Sequence, residues 1–336
     1  MEIGEKFAGM AEQTLPAAHP ESGVPVDLRP LTTSELIDRG FALYRAHFAG
    51  LLLISLLAQS GPLVAQILIT SFRLQPEGDQ LRDDPWGSFY RLAVFFIVVL
   101  AARAASFCFN AVATGYIAEA YLGKIPSVTA SLRRFAGRPG PALWTFLLAW
   151  FLIVLTLILP VGVLATAYLA LLHYHPVDFT VLIAIGVGTL ILLVLSLVPV
   201  LIVFMRLWVT VPPLMLEDRS GWKAVRRSVG LVRFDPGLGF LYWGEMRLSF
   251  LLLPPFVISL LILFLPSLPY LASEAFRHGH NPPPEIAMVC QILNFLAGSL
   301  IWPLYAIATT LFYYDVRIRL EGFDLEFMTR RLETAK

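Results

Sequence analysis

FTVLIAIGVGTLILLVLSLVPVLIVFMRLWVTV, residues 179–211, carries a single charged side chain, Arg206, close to its end. A helix crosses the hydrocarbon of a bilayer in about 20 residues, so a run this apolar reads as a membrane span. It exceeds the crossing length and must tilt, bend or project beyond the bilayer. Glycines at GVGTL (186–190) fit close helix packing better than a nucleotide loop. Five other runs share its character. The predicted spans are about 48–72, 89–122, 142–172, 179–211, 248–271 and 286–314, the second overlong like the fourth.

Composition supports the same fold. Of the 336 residues 57% are hydrophobic and only 15% charged, with a mean hydropathy of +0.72, whereas soluble domains carry about 25% charged residues. The expected fold is an all-α integral membrane protein with six transmembrane helices in three hairpins. Cys108 and Cys290 both fall inside apolar runs, which argues against a disulfide framework or a Cys-based zinc site. A net charge of +1 gives no reason to expect nucleic acid. Residues 1–28, with Pro16, Pro20 and Pro25, form an expected mobile tail without a cleavable signal pattern. A membrane domain over 29–328 and a short tail over 329–336 complete the expected organisation.

Orientation follows from lysine and arginine. Arg73, Arg82, Arg91 and Arg277 lie on one side and Arg103 and Arg206 inside spans, which leaves 19 of the 25 on the other side. Cationic loops resist translocation, so the richer side is expected in the cytoplasm, with both termini there. A bacterial cytoplasmic membrane is the expected location.

Three segments on that side are related. TTSELIDRGFALYRAHF (32–48) opens with a capping box, Thr32 with Glu35, and continues along one helical face. SVTASLRRFAGRPG (127–140) and SGWKAVRRSVGLVRF (220–234) resemble it. Ile37-Asp38-Arg39, Leu132-Arg133-Arg134 and Val225-Arg226-Arg227 align at offsets of 95 and 93 residues. Each segment precedes a pair of spans, so the chain reads as three units, each a short amphipathic helix and a hairpin. Arg39, Arg133, Arg134, Arg226 and Arg227 are expected to meet anionic inner-leaflet lipid or a membrane or cytoplasmic protein partner.

Polar groups within the apolar runs mark candidate sites. Arg103, deep in the second span, is expected to face other helices and to pair there, because a buried guanidinium is costly. Asn110 lies seven residues on, on the same face. Glu119, Arg206, Glu217, Glu245, Arg247 and Asp315 gather at the inner edge as an ion-pair belt or a substrate vestibule. HYHPVD (173–178) and HGHN (278–281) place His173, His175, Asp178, His278 and His280 in two outer loops, where solvated histidines outweigh a metal site. Pro62, Pro160, Pro199, Pro254, Pro255 and Pro303 fall within spans, as in transporters but also in ordinary packed bundles.

No HExxH, GxSxG, P-loop or dinucleotide fingerprint occurs, so neither a catalytic constellation nor a cofactor is expected. Four stretches carry a family likeness: LRPLTTSELIDRGFALYRAHF (28–48), AYLGKIPSV (120–128), RLWVTVPPLMLEDRSGWKAVRRSVGLVR (206–233) and YYDVRIRLEGFDLEF (313–327). In order and spacing the chain resembles, over about residues 28–328, the glycerophosphoryl diester phosphodiesterase membrane domain family. That resemblance implies an integral membrane protein and supplies no functional residues. The barrel that gives the family its name has metal-binding His and carboxylate motifs without counterpart here, so its activity does not carry over. The expected function is a non-enzymatic scaffold or auxiliary factor in membrane or envelope homeostasis. The alternative is a transporter or channel for a small solute or lipid. In the last stretch Tyr313 and Tyr314 suit the interfacial belt, Gly322 a helix end, and Phe323 and Phe327 a return to the inner face.

Overall fold

A backbone in hydrocarbon must satisfy its own hydrogen bonds, so long apolar runs become helices. The computed structural model describes residues 29–72, 74, 84–173, 179–234, 243–264, 268–271 and 284–323; 89% of these are helical and none is in a strand. Six of the helices are long and apolar enough to cross a membrane.

In chain order, α1 (Thr33–Ala46) leads through His47 into α2 (Phe48–Ser71), which pairs with α3 (Pro85–Tyr121). The short α4 (Val128–Ala136) precedes the hairpin of α5 (Pro139–His173) and α6 (Phe179–Trp208). Two further short helices follow, α7 (Val211–Leu216) and α8 (Trp222–Val232). The third hairpin is α9 (Gly244–Phe264) with α11 (Pro284–Glu321), joined through the single turn α10 (Leu268–Leu271). The last helix also packs on α1, α2 and α3, so the first and third hairpins share a core.

Local chemistry sets these boundaries. The α1 capping box is complete, with Glu35 N–H donating to Thr32 Oγ1 at 3.3 Å and Thr32 N–H to Glu35 Oε2 at 2.7 Å. Asp84 caps α3 at the Gly87 N–H, 3.0 Å away, and Ser127 caps α4 at the Ala130 N–H, 3.4 Å away. Gly322 ends α11 at φ +61°, a conformation that favours glycine. Beyond it Phe323 returns onto Tyr314, ring centroids 5.6 Å apart; Phe327 lies outside the described residues.

Several boundaries differ from the sequence reading, among them the end of the sixth spanning helix, at Glu321 and not 314, and the start of the second, at Pro85 and not 89. The fourth run is not one helix to residue 211: α6 ends at Trp208, the chain turns at Val209 and Thr210, and α7 restarts with Pro212 in its first turn. Proline is tolerated there because the first N–H groups of a helix have no internal acceptor. The fifth helix begins at Gly244, four residues before the expected 248, and ends at Phe264. Five of the six spans keep interior prolines within continuous helix, at Pro62, Pro160, Pro199, Pro254, Pro255 and Pro303.

Packing is unequal along the bundle. α2 and α3 approach closely because Gly50 leaves its place to the Tyr116 ring, and a Cβ at Gly61 would lie only 3.2 Å from that of Ala105. Ser106 Oγ donates across the pair to the Ala58 carbonyl at 3.0 Å. The core, around Leu36, Leu51, Ile117, Leu248, Phe312 and Tyr313, lies toward the charged end, where the short helices gather. The α5–α6 hairpin behaves otherwise. Its links to the rest cluster at that same end: Phe146 on Phe107 (5.5 Å), Gly221 N–H on Thr145 Oγ1 (2.7 Å) and Ser228 Oγ on the Arg206 carbonyl (2.6 Å). The most apolar stretch of α6 buries none of its residues.

Candidate functional site

Charged side chains at the end of a span have two fates, solvation or pairing, and this protein pairs most of them. Glu217, just after α7, has a carboxylate only 10% exposed and lies at the centre of a closed ring. Its Oε1 accepts from Arg227 Nε at 2.9 Å and from the Tyr313 hydroxyl at 3.0 Å, and its Oε2 forms an ion pair with Arg219 at 2.8 Å. Arg227 also donates to Glu321, Glu321 accepts from Arg317 Nε at 2.8 Å, and Arg317 Nη1 donates to the Tyr313 hydroxyl at 3.2 Å. The ring therefore returns to Tyr313 after joining α7, α8 and α11. Desolvation works against the charge on Arg227, but its hydrogen bonds to Glu321 and Glu217 outweigh that and raise its pKa further.

A second knot holds the chain entering α1. The Asp315 carboxylate, 1% exposed, accepts the Leu31 N–H at 3.0 Å and Arg319 Nε at 3.0 Å, and forms an ion pair with Arg247 Nη2 at 2.9 Å. Both arginines also donate to the Leu31 carbonyl, Arg319 at 2.6 Å. Burying each ion costs several kcal/mol, on the order of what good geometry and full hydrogen bonding return. Here the carboxylate is saturated, while Nε of Arg247 is buried without an acceptor among the described residues. Leu31, of α1's approach, is thereby fixed to α9 and α11.

The six residues of the expected belt thus form two pairs among themselves, Arg206 with Glu245 (2.7 Å) and Arg247 with Asp315. Glu119 and Glu217 find partners elsewhere. Glu119 accepts from Arg134 at 3.2 Å, and Glu217 from Arg227. Arg134 and Arg227, expected to face lipid or a partner, both pair with protein carboxylates, Arg227 from within the bundle at 18% exposure and Arg134 from the surface at 52%. Arg133 and Arg226 are exposed. Arg39 lies 5.0 Å from the centre of the Tyr121 ring.

Arg103 departs from expectation. It is exposed, at the middle of α3, with no hydrogen bond or ion pair to a described residue. One turn nearer the charged end, Phe107 meets Phe146 of α5, ring centroids 5.5 Å apart. Asn110 is not joined to it, and its Oδ1 is buried without a described donor. Two amides absent from the sequence reading lie at similar depth. Gln59 of α2 and Asn294 of α11 line a cavity of about 330 Å³ with Ser259 and Tyr305, whose hydroxyls are 3.2 Å apart. Their signal was legible, since an amide in an apolar run calls for a partner.

For metal chemistry the described residues offer no group of three His, Cys, Asp or Glu. His175, Asp178, His278 and His280 lie outside the described residues, as does the side chain of His173. A larger cavity, about 510 Å³, opens at the charged end between Glu119, Lys124, Arg134, Arg219, Arg227 and Arg317. Fold and site together define a multi-pass, all-α membrane protein whose polar chemistry is concentrated at one end of its spans. No family model, no curated protein and no solved structure matches the chain.

Proposed function

We propose that the protein is a non-enzymatic scaffold or auxiliary factor of the bacterial cytoplasmic membrane, acting in membrane or envelope homeostasis, with both termini and the charged end in the cytoplasm. The observation that carries this reading is the division of labour within the basic helices. Arg227 is drawn into the bundle, 18% exposed, and Arg134 reaches Glu119 from the surface, while Arg133 and Arg226 are exposed beside them. Exposed arginines on short helices at a membrane edge suit anionic lipid or an acidic partner surface, at about 1 kcal/mol per charge for lipid. The excess of cations on that side and the resemblance to the phosphodiesterase-associated membrane domain family support the same placement. Affinity purification from membranes tests it: a partner retained by the natural protein is lost when Arg133 and Arg226 become Glu. A reporter fused after Lys336 that proves periplasmic would overturn the orientation.

A transporter or channel for a small solute or lipid is the second reading, favoured by one specific pair of features. These are the exposed Arg103 at mid-span, without an ion pair among the described residues, and the polar cavity between Gln59 and Asn294. Both are expensive to maintain in hydrocarbon without a use. Purified protein in liposomes, assayed for solute flux and lipid scrambling, separates the readings. Flux abolished by Arg103→Ala or Gln59→Leu replaces the scaffold with a transporter; tight liposomes with both natural and variant protein retain the scaffold.

A further inference from the structure

We propose that the cavity at the charged end is a binding site for a phosphate-bearing group. It goes beyond the scaffold reading, since neither a partner nor an orientation enters the argument. Lys124, Arg134, Arg219, Arg227 and Arg317 line it against three carboxylates, Glu119, Glu217 and Glu321, which leaves two positive charges in excess. A phosphate monoester brings up to two negative charges, and arginine's planar fork suits its oxygens.

The carboxylates position these cations without exhausting them. A guanidinium has five N–H donors. Arg134 gives one to Glu119, Arg227 gives one each to Glu217 and Glu321, and Arg219 forms an ion pair with Glu217. Nη1 of Arg227 and the Lys124 ammonium have no acceptor among the described residues. The donors are therefore fixed in direction before any ligand arrives, which lowers the ordering cost of binding.

Size and polarity narrow the ligand class. About 510 Å³ holds a phosphate and its ester substituent. Ala118, Leu122, Leu216 and Tyr314 supply an apolar wall beside the charges, so the site presents one wet and one greasy face. It also lies beside the ends of α3 and α11, two of the helices long and apolar enough to cross a membrane. The shared chemistry is a phosphate ester, delivered either by an anionic lipid headgroup or by a soluble metabolite.

Two binding measurements distinguish the sources. Inorganic phosphate is titrated into the purified protein in detergent, followed by its tryptophan fluorescence. In parallel, nanodiscs of phosphatidylcholine with and without phosphatidylglycerol are examined for lipid retained through native mass spectrometry. Saturable binding of phosphate points to a soluble ester, and selective retention of phosphatidylglycerol to a lipid. In either arm Lys124→Ala with Arg134→Ala weakens binding at least tenfold, Lys124→Arg with Arg134→Lys restores it, and Arg45→Ala, which removes an exposed charge outside the cavity, changes it less than twofold. Should the double variant unfold, Arg219→Ala, at a side chain 48% exposed, supplies the same loss of affinity. Binding in neither arm, or equal losses in the cavity variants and Arg45→Ala, overturns the proposal.

Discussion

The two ends of the spans solve different problems. At the charged end, ionised groups of α3, α8, α9 and α11 are drawn together, and Asp315 and Tyr313 are almost wholly buried. Toward the far end of the α5–α6 hairpin, Leu190, Leu192 and Leu195 stand 61%, 56% and 61% exposed. In water such leucines would be a liability; in hydrocarbon they lose nothing by facing lipid tails as apolar as themselves. The hairpin therefore needs no apolar contact along its length. Its position is set by polar bonds where it leaves the membrane, Arg206 to Glu245 and Thr145 to the Gly221 amide. Membrane packing can thus be nearly absent along a span and strict at its end.

The largest way to break this contrast is at Asp315. Asp315→Ala leaves Arg247 buried without its carboxylate and releases Leu31, and unpairing a buried ion costs about 3–5 kcal/mol. Thermal unfolding in lipid nanodiscs reads that loss directly. Glu217→Ala comes next. It opens the ring at the one carboxylate shared by Arg219, Arg227 and Tyr313, for about 1–3 kcal/mol, because those donors then lack an acceptor. Chemical denaturation of α8, followed by hydrogen exchange at residues 222–232, shows whether the helix loosens first.

The N-terminal cap is a smaller lever. Thr32→Ala removes the Glu35 N–H acceptor and costs about 1 kcal/mol, read as faster exchange in the first turn of α1. The cap also responds to pH. The Thr32 N–H, the Arg29 guanidinium and the Thr32 hydroxyl hold the Glu35 carboxyl down to about 2, from an ordinary 4.5. Its contribution is therefore complete above about pH 4.5 and is lost as the pH falls from 4.5 toward 2. The difference in stability between the natural protein and Glu35→Gln shrinks across that window; a constant difference would exclude the carboxylate as the cause.

Much of the fold was legible because hydropathy and helix capping act locally. All six spans, the Thr32–Glu35 box and the Gly322 stop are written in consecutive residues. The break at Val209 and Thr210 was hidden by the apolar character of residues on both sides of it, although the proline pair that follows was a usable signal. The ion pairs were legible as a population and illegible as a list. Depth along a span places Asp315 near Arg247, but which of two adjacent arginines turns inward depends on helix rotation, and that is set by packing against distant residues such as Glu119 and Glu217. Arg103 shows the same limit. Its depth follows from counting residues, whereas its exposure follows from how the neighbouring helices pack against α3.

The contrast between the ends is tested most directly by comparing two variants in one lipid composition. One carries Asp315→Ala alone; the other replaces Leu190, Leu192 and Leu195 with Ala together. If the charged end holds the fold, the single polar change lowers unfolding stability by about 3–5 kcal/mol, and the triple truncation stays within about 0.5 kcal/mol, as for sites without buried contacts. A triple variant as unstable as Asp315→Ala would contradict this, because it would mean that the leucines of α6 are packed against protein and not lipid.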